Sequence, residues 1–274
     1  MNSIAIPALS PKSLIADLFE RQRTLAAFGL ALFVLALPLL AMTWLDPRLL
    51  DSGRSPWVKP VKFMVSMGLF SVTSAWFFGY VRAERRGSRL MRWTVTALIA
   101  SATFELFWII WQAGHGVDSH FNVGRPIDAI MFGLMGVFAL VLTGSVLPLA
   151  WEIARRPAPG LPGDYVAAVV AGLVLTFLLG TGAGIVMSVN GGHAVGAEGQ
   201  GLPLFGWNRI GGDIRVAHFL GIHAEQIIPA AAALIASFAA PLRQRLLIAG
   251  ILLYTALTLF VLAQAMAGRP LLPV

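Results

Sequence analysis

Seven apolar runs of 22 to 25 residues alternate with short polar connections along this chain, at 24–45, 60–81, 91–113, 127–149, 165–189, 216–240 and 244–267. A helix needs about 20 apolar residues to cross the hydrocarbon of a bilayer. With no water there to satisfy backbone groups, a helix is the form such a run takes. The pattern therefore predicts an all-α, polytopic membrane protein: a bundle of seven transmembrane helices, with no room for a separate soluble domain. Residues 1–23 read as a cytoplasmic N-terminal segment and 268–274 as a short external tail. The first run begins after Arg21 and Arg23 and is long enough to span, so it reads as a retained helix and not as a removed signal peptide.

Charge sets the expected orientation. If the helices alternate, the N-terminus and the connections after runs two, four and six share one side. They hold twelve of the twenty lysines and arginines, five of them between Arg82 and Arg92. The positive-inside rule then puts the N-terminus in the cytoplasm, the C-terminus outside and the protein in a cell membrane, expected to be a bacterial inner membrane. The net charge of +7 is explained by these flanking residues and by lipid headgroups, so the lipid bilayer is an expected partner and nucleic acid is not. No cysteine is present, which excludes thiolate metal sites, iron–sulfur clusters and cysteine nucleophiles.

All five histidines, His115, His120, His193, His218 and His223, fall on the side opposite the arginine-rich loops. Histidine ligates metals and haem and relays protons near neutrality. Two runs carry a glutamate deep in the expected hydrocarbon, where a central charge costs about 2.5–3.5 kcal/mol on insertion scales and faces protein or water. In the third run Glu105 is followed by Trp108, Gln112 and His115 at offsets of three, seven and ten, one helical stripe. In the sixth, Arg215, His218, Ile222, Glu225 and Pro229 repeat the arrangement. Pro229 cannot donate to the carbonyl of Glu225, so a kink is expected there. His218 and His223 are five apart, turned by about 140° in a regular helix, so they do not face one ligand together. Lys62 is expected either to snorkel to headgroups or to pair with Glu105 or Glu225.

These residues outline a polar site between helices three and six near the outer face. It is expected to bind haem or a divalent metal in a redox or proton-relay role. His120 and His218 are the candidate metal ligands. Gln112, His115, Arg215 and His223 are the candidate cofactor-binding residues, and Glu105 and Glu225 the candidate proton-handling pair. A two-haem cytochrome b would place histidine pairs on both membrane sides, so one cofactor at most is implied. Two other readings fit the same residues. One is a proton-coupled small-solute transporter, the other a non-catalytic sensor or assembly module that meets a small-molecule ligand or membrane partner through the long loop 190–215. The run Gly180-Thr181-Gly182-Ala183-Gly184 resembles a nucleotide loop in letters only. Lying inside an apolar run with no strand before it, it reads as a site of close helix packing.

Overall fold

The computed structural model describes residues 11–50, 53–199, 201–203 and 205–273. The first ten residues of the expected N-terminal segment and the last residue of the expected tail lie outside the described residues. The fold is mostly helical. Helix α1 (Pro11–Arg21) leads into α2 (Arg23–Leu45), α3 (Val58–Phe78), the short α4 (Ala83–Arg86) and α5 (Arg89–Gly114). Then come α6 (Pro126–Gly144) and α7 (Val146–Arg155), followed by α8 (Gly163–Leu175), a π-helical segment (Thr176–Gly180) and α9 (Thr181–Val189). The chain closes with α10 (Arg215–Ile222), α11 (Ala224–Leu234) and α12 (Ala240–Met266). Strands β1 (Ala194–Val195) and β2 (Gly212–Asp213) pair antiparallel inside the long loop, with Ala194 opposite Asp213.

Among the described residues six helices are long and apolar enough to cross a membrane. They match runs one to five and seven, with α6–α7 and α8–α9 each forming one near-continuous rod. The sixth run differs. It is broken at His223 into helices of 8 and 11 residues, each too short to span alone. The interruption lies six residues before Pro229, which sits inside α11. Proline removes one donor within a helix that otherwise continues. The chain separates instead where Thr176 offers its hydroxyl to the Glu225 amide at 2.9 Å, replacing the bond a continuous helix would supply.

Small residues set the closest approaches. A Cβ on Gly29 of α2 would lie 2.9 Å from the carbonyl oxygen of Gly68 on α3, so glycine lets these two rods meet backbone to backbone. Gly180 and Gly221 make the same kind of crossing between the π segment and α10. The largest buried cluster joins α2, α3, α5, α7 and α8 through Leu25, Phe78, Met91, Leu98, Ile153 and Leu173.

The bundle has two chemically distinct ends. At the basic end Arg85 pairs with Glu152 at 2.7 Å, the Tyr80 carbonyl accepts from Ala158, Arg243 pairs with Asp164, and Arg21 lies over the Trp76 ring at 3.9 Å. At the histidine end Arg48 donates to the Gly114 carbonyl at 3.0 Å, and Gly212 is pressed against the backbone of Ala265. Here the long loop folds back over α10. Lys62 donates to the Phe205 carbonyl at 3.0 Å, and Arg54 and Arg215 both donate to that of Gly206, at 3.3 and 2.6 Å. Phe205 and Trp207 stack at 4.5 Å and meet Phe219 edge-on, which in turn packs on His223 at 4.4 Å.

Candidate functional site

Helix α5 carries Glu105 and Trp108 inward because they are three apart, on one face. Both are buried, and among the described residues neither Glu105 Oε1 nor the Trp108 indole nitrogen has a hydrogen-bond partner. One turn further, Gln112 is buried but committed. It donates to Asp128 at 3.1 Å, and Arg125 closes the other side of that carboxylate at 2.6 Å. His115 ends the stripe as the cap residue of α5, exposed, with its Nδ1 2.8 Å from the Trp111 carbonyl of its own helix. It borders a shallow apolar surface cleft with Trp57, Phe107 and Trp111 rather than the interior.

The loop after α5 turns back toward the bundle at His120. Ser119 Oγ lies 3.0 Å from His120 Nδ1, and the ring is walled by Phe63 at 5.7 Å and Phe132 at 6.2 Å. Its neighbour Phe121 adopts φ 59°, the left-handed region that a bulky side chain rarely enters. Such strain persists only where the surroundings over-determine it, and it gathers at functional positions. The Phe121 ring repays it in part by packing on Phe132 at 5.1 Å. Burial pushes the His120 imidazole well below the ordinary histidine range, and the charge of Lys59 and then His218 act in the same direction. His120 is therefore neutral at pH 7. That influence also brings together three segments distant in sequence: the start of α3, the loop after α5, and α10.

His218 reaches this place from α10. Its Nδ1 is 2.8 Å from the Gly180 carbonyl, which the π segment turns toward it. A π segment closes i→i+5 bonds and shifts a carbonyl out of the regular ladder, a device frequent at functional sites. His120 and His218 thus share a feature: each has Nδ1 engaged and Nε2 left over. A histidine with its proton on Nδ1, as the Gly180 carbonyl requires of His218, presents the Nε2 lone pair outward. Lys59 lies within electrostatic reach of Glu105 and Asp118. The Lys62 ammonium, expected to snorkel or to meet a glutamate, instead pins the long loop at Phe205.

The remaining candidates are spent elsewhere. Arg215 holds Asp213 at 2.9 Å and the Gly206 carbonyl, so it organises the loop. His193, half-buried in that loop, is pushed below its ordinary range by burial and then by Arg215. The His223 Nδ1 lies 3.3 Å from Gln226 Oε1. Glu225 is fully buried; Gln226 donates to its Oε1 at 2.9 Å, and its Oε2 has no partner. The expected pairing of helices three and six is not the principal packing. α10 and α11 lie chiefly against α8, the π segment, α9 and α12, since Gly172 and Gly180 present flat surfaces there. Shared polarity suggested the partnership; the glycines decided it differently. Lys59, the π segment and the strained Phe121 had no signature in the sequence beyond the lysine itself.

Among the described residues no three His, Asp or Glu side chains converge as a metal site. No protein-family model, curated protein or solved structure matches the chain.

Proposed function

We propose that this is a seven-span membrane protein, N-terminus in the cytoplasm, that holds one haem near its outer face through His120 and His218 in a redox role. The carrying observation is the pair of histidines from separate segments, each with Nδ1 engaged and, among the described residues, no hydrogen bond to Nε2. A bare divalent ion wants about four protein ligands in a closed site, and among the described residues no third His, Asp or Glu joins these two. A porphyrin brings its own four nitrogens and needs only one or two imidazoles, with an apolar wall around its edge. Phe63, Phe121 and Phe132 supply such a wall. Haem would provide one-electron chemistry. Glu105, buried with an unpartnered oxygen and within reach of the Lys59 charge, would take up and release the accompanying proton.

Seven crossings are supported by where the broken helix begins and ends. It starts at Arg215, tied to the loop at the histidine end. It leaves toward Ala236, whose carbonyl accepts from Arg243 at the basic end. The twenty residues from Arg215 to Leu234 are long enough for the passage, about 30 Å at helical rise. Reporter fusions should accordingly read cytoplasmic at Arg85 and Pro157 and external at Val123 and Gly199. A shared side for Pro157 and Gly199 would remove the sidedness from which the outer site follows.

The haem reading predicts that protein purified from haem-replete cells shows a Soret band. His120→Ala and His218→Ala should each abolish or shift it, while His115→Ala leaves it unchanged. Colourless wild-type protein would overturn the reading. The second reading, proton-coupled solute transport, is favoured by the interrupted helix at His223, a construction common where membrane proteins bind ions and solutes. It predicts pH-gradient-driven uptake that Glu225→Gln stops.

A further inference from the structure

The α10–α11 break holds a group that the haem reading does not use. Glu225 has no exposed surface, and the carboxyls with salt bridges make an instructive contrast. Asp17, Asp46, Asp128, Glu152, Asp164 and Asp213 each have an arginine within 4.0 Å. Glu225 has no such cation among the described residues. The titratable and charged groups on the elements around it are His223 at the break, Arg215 and His218 on α10, Tyr165 on α8, and Tyr254 and Arg245 on α12. Tyr165 faces Tyr80 across 3.3 Å, and Tyr254 donates to the Leu220 carbonyl. Asp164 and Arg243, at the ends of α8 and α12, neutralise each other. An isolated carboxylate in a dry interior costs far more than its other interactions return, so the group discharges or finds a cation.

The immediate geometry fits the acid form. Gln226 donates through Nε2 to Glu225 Oε1 at 2.9 Å and to Thr73 Oγ1 of α3 at 3.2 Å. Its Oε1 lies 3.3 Å from His223 Nδ1, which, with that ring nitrogen protonated, turns the amide's donor side toward Glu225. Oε1 thus behaves as the carbonyl oxygen of a carboxylic acid. Oε2, the oxygen left to carry the proton, has no acceptor within hydrogen-bond distance. A purely structural buried acid would be expected to donate that proton to a neighbour, since buried polar groups are nearly always paired. The backbone is loosened at the same place: the Glu225 amide leaves the helical ladder for Thr176 Oγ1. Gly172 meanwhile keeps α8 against Ala224 and Glu225 with no side chain between.

We infer that the α10–α11 break is a proton-binding site in its own right, in which Glu225 is held as a neutral acid by Gln226 and exchanges its Oε2 proton with water. The O–H bond of Glu225 breaks as water accepts the proton, and a proton returning from water remakes it, leaving no net change of charge. The proposal does not depend on the haem reading.

Infrared spectroscopy of the full-length protein in bilayers tests this directly. Wild type should show the carbonyl stretch of a protonated carboxylic acid, moving to lower frequency when H₂O is replaced by D₂O. Glu105→Gln removes the contribution of the other buried acid with an unpartnered oxygen and should leave the Glu225 band in place; in that background Glu225→Gln should lose the band entirely. Gln226→Leu, which retains Glu225 but removes the bond to Oε1, should raise its frequency, so a poorly folding Glu225→Gln does not leave the matter open. A wild-type spectrum without a protonated-acid band would overturn the proposal. So would a band that survives Glu225→Gln in the Glu105→Gln background, or one that D₂O never shifts. None of these outcomes touches the Soret test, so the two readings fail separately.

Discussion

Gly221→Val is expected to abolish accumulation of folded protein. At this position a Cβ would fall on the backbone nitrogen of Gly180, with the Leu179 carbonyl carbon next nearest. Backbone cannot yield as a flexible side chain does, so α10 must move away from the π segment. That separation also pulls His218 from the Gly180 carbonyl. Overpacking of an interior commonly costs about 1–3 kcal/mol, and a clash with backbone belongs above that range. The check is the yield of monodisperse protein and its thermal aggregation temperature. Gly182→Ala is the matched control. It lies in the same small-residue run, yet a Cβ there meets nothing within 4 Å, so wild-type behaviour is expected. Equal tolerance of both changes would show that the crossing is not set by Gly221.

Arg215→Ala should carry the second large effect. Asp213 is buried, its side chain 1% exposed, and Arg215 is its cation. Breaking a buried pair by removing one member typically costs about 3–5 kcal/mol, because the other charge is left uncompensated. Asp213 keeps hydrogen bonds from the Asn208 amide at 2.8 Å and the residue 215 amide at 3.0 Å, which argues for the lower end, about 3 kcal/mol. The change also leaves the Gly206 carbonyl with only its longer bond from Arg54, at 3.3 Å, so the Phe205–Trp207–Phe219 stack should loosen. Lower thermal stability together with faster proteolysis between residues 201 and 212 is the expected readout. Arg215→Lys should recover only part of the loss, since an ammonium keeps the charge but not the planar fork. Undiminished stability in Arg215→Ala would mean that the two amides suffice for Asp213.

The sequence and the structure agree on some elements and part on others, and the reasons differ from place to place. The shared burial of Glu105, Trp108 and Gln112 followed from offsets of zero, three and seven on a helix, a local periodicity that packing does not alter. His115, at offset ten, had the right phase but stands at the end of α5, where the bundle no longer covers it. Gln112 and Arg215 were visible as polar residues on the correct faces. That they are tied up by Asp128 and Asp213 depends on side chains 16 and 2 positions away taking particular rotamers. A kink was anticipated at Pro229, where proline removes a helical donor, but α11 runs on through that residue. The break occurs at His223 because a hydroxyl 49 positions away captures the Glu225 amide.

What the chain determines alone is the set of long apolar helices, the basic and histidine-bearing ends of the bundle, and the glutamates lodged within it. Length, hydropathy and charge act residue by residue, and a bilayer leaves the backbone little choice but to close its own hydrogen bonds. Which helices touch, and therefore which of those polar groups meet, is decided only in three dimensions. Lipid-facing leucines are alike on every rod and carry no address. The partners are chosen where glycines let backbones approach, at Gly29 with Gly68 and at Gly180 with Gly221. Those contacts bring His218 to the π segment and within the electrostatic reach of His120.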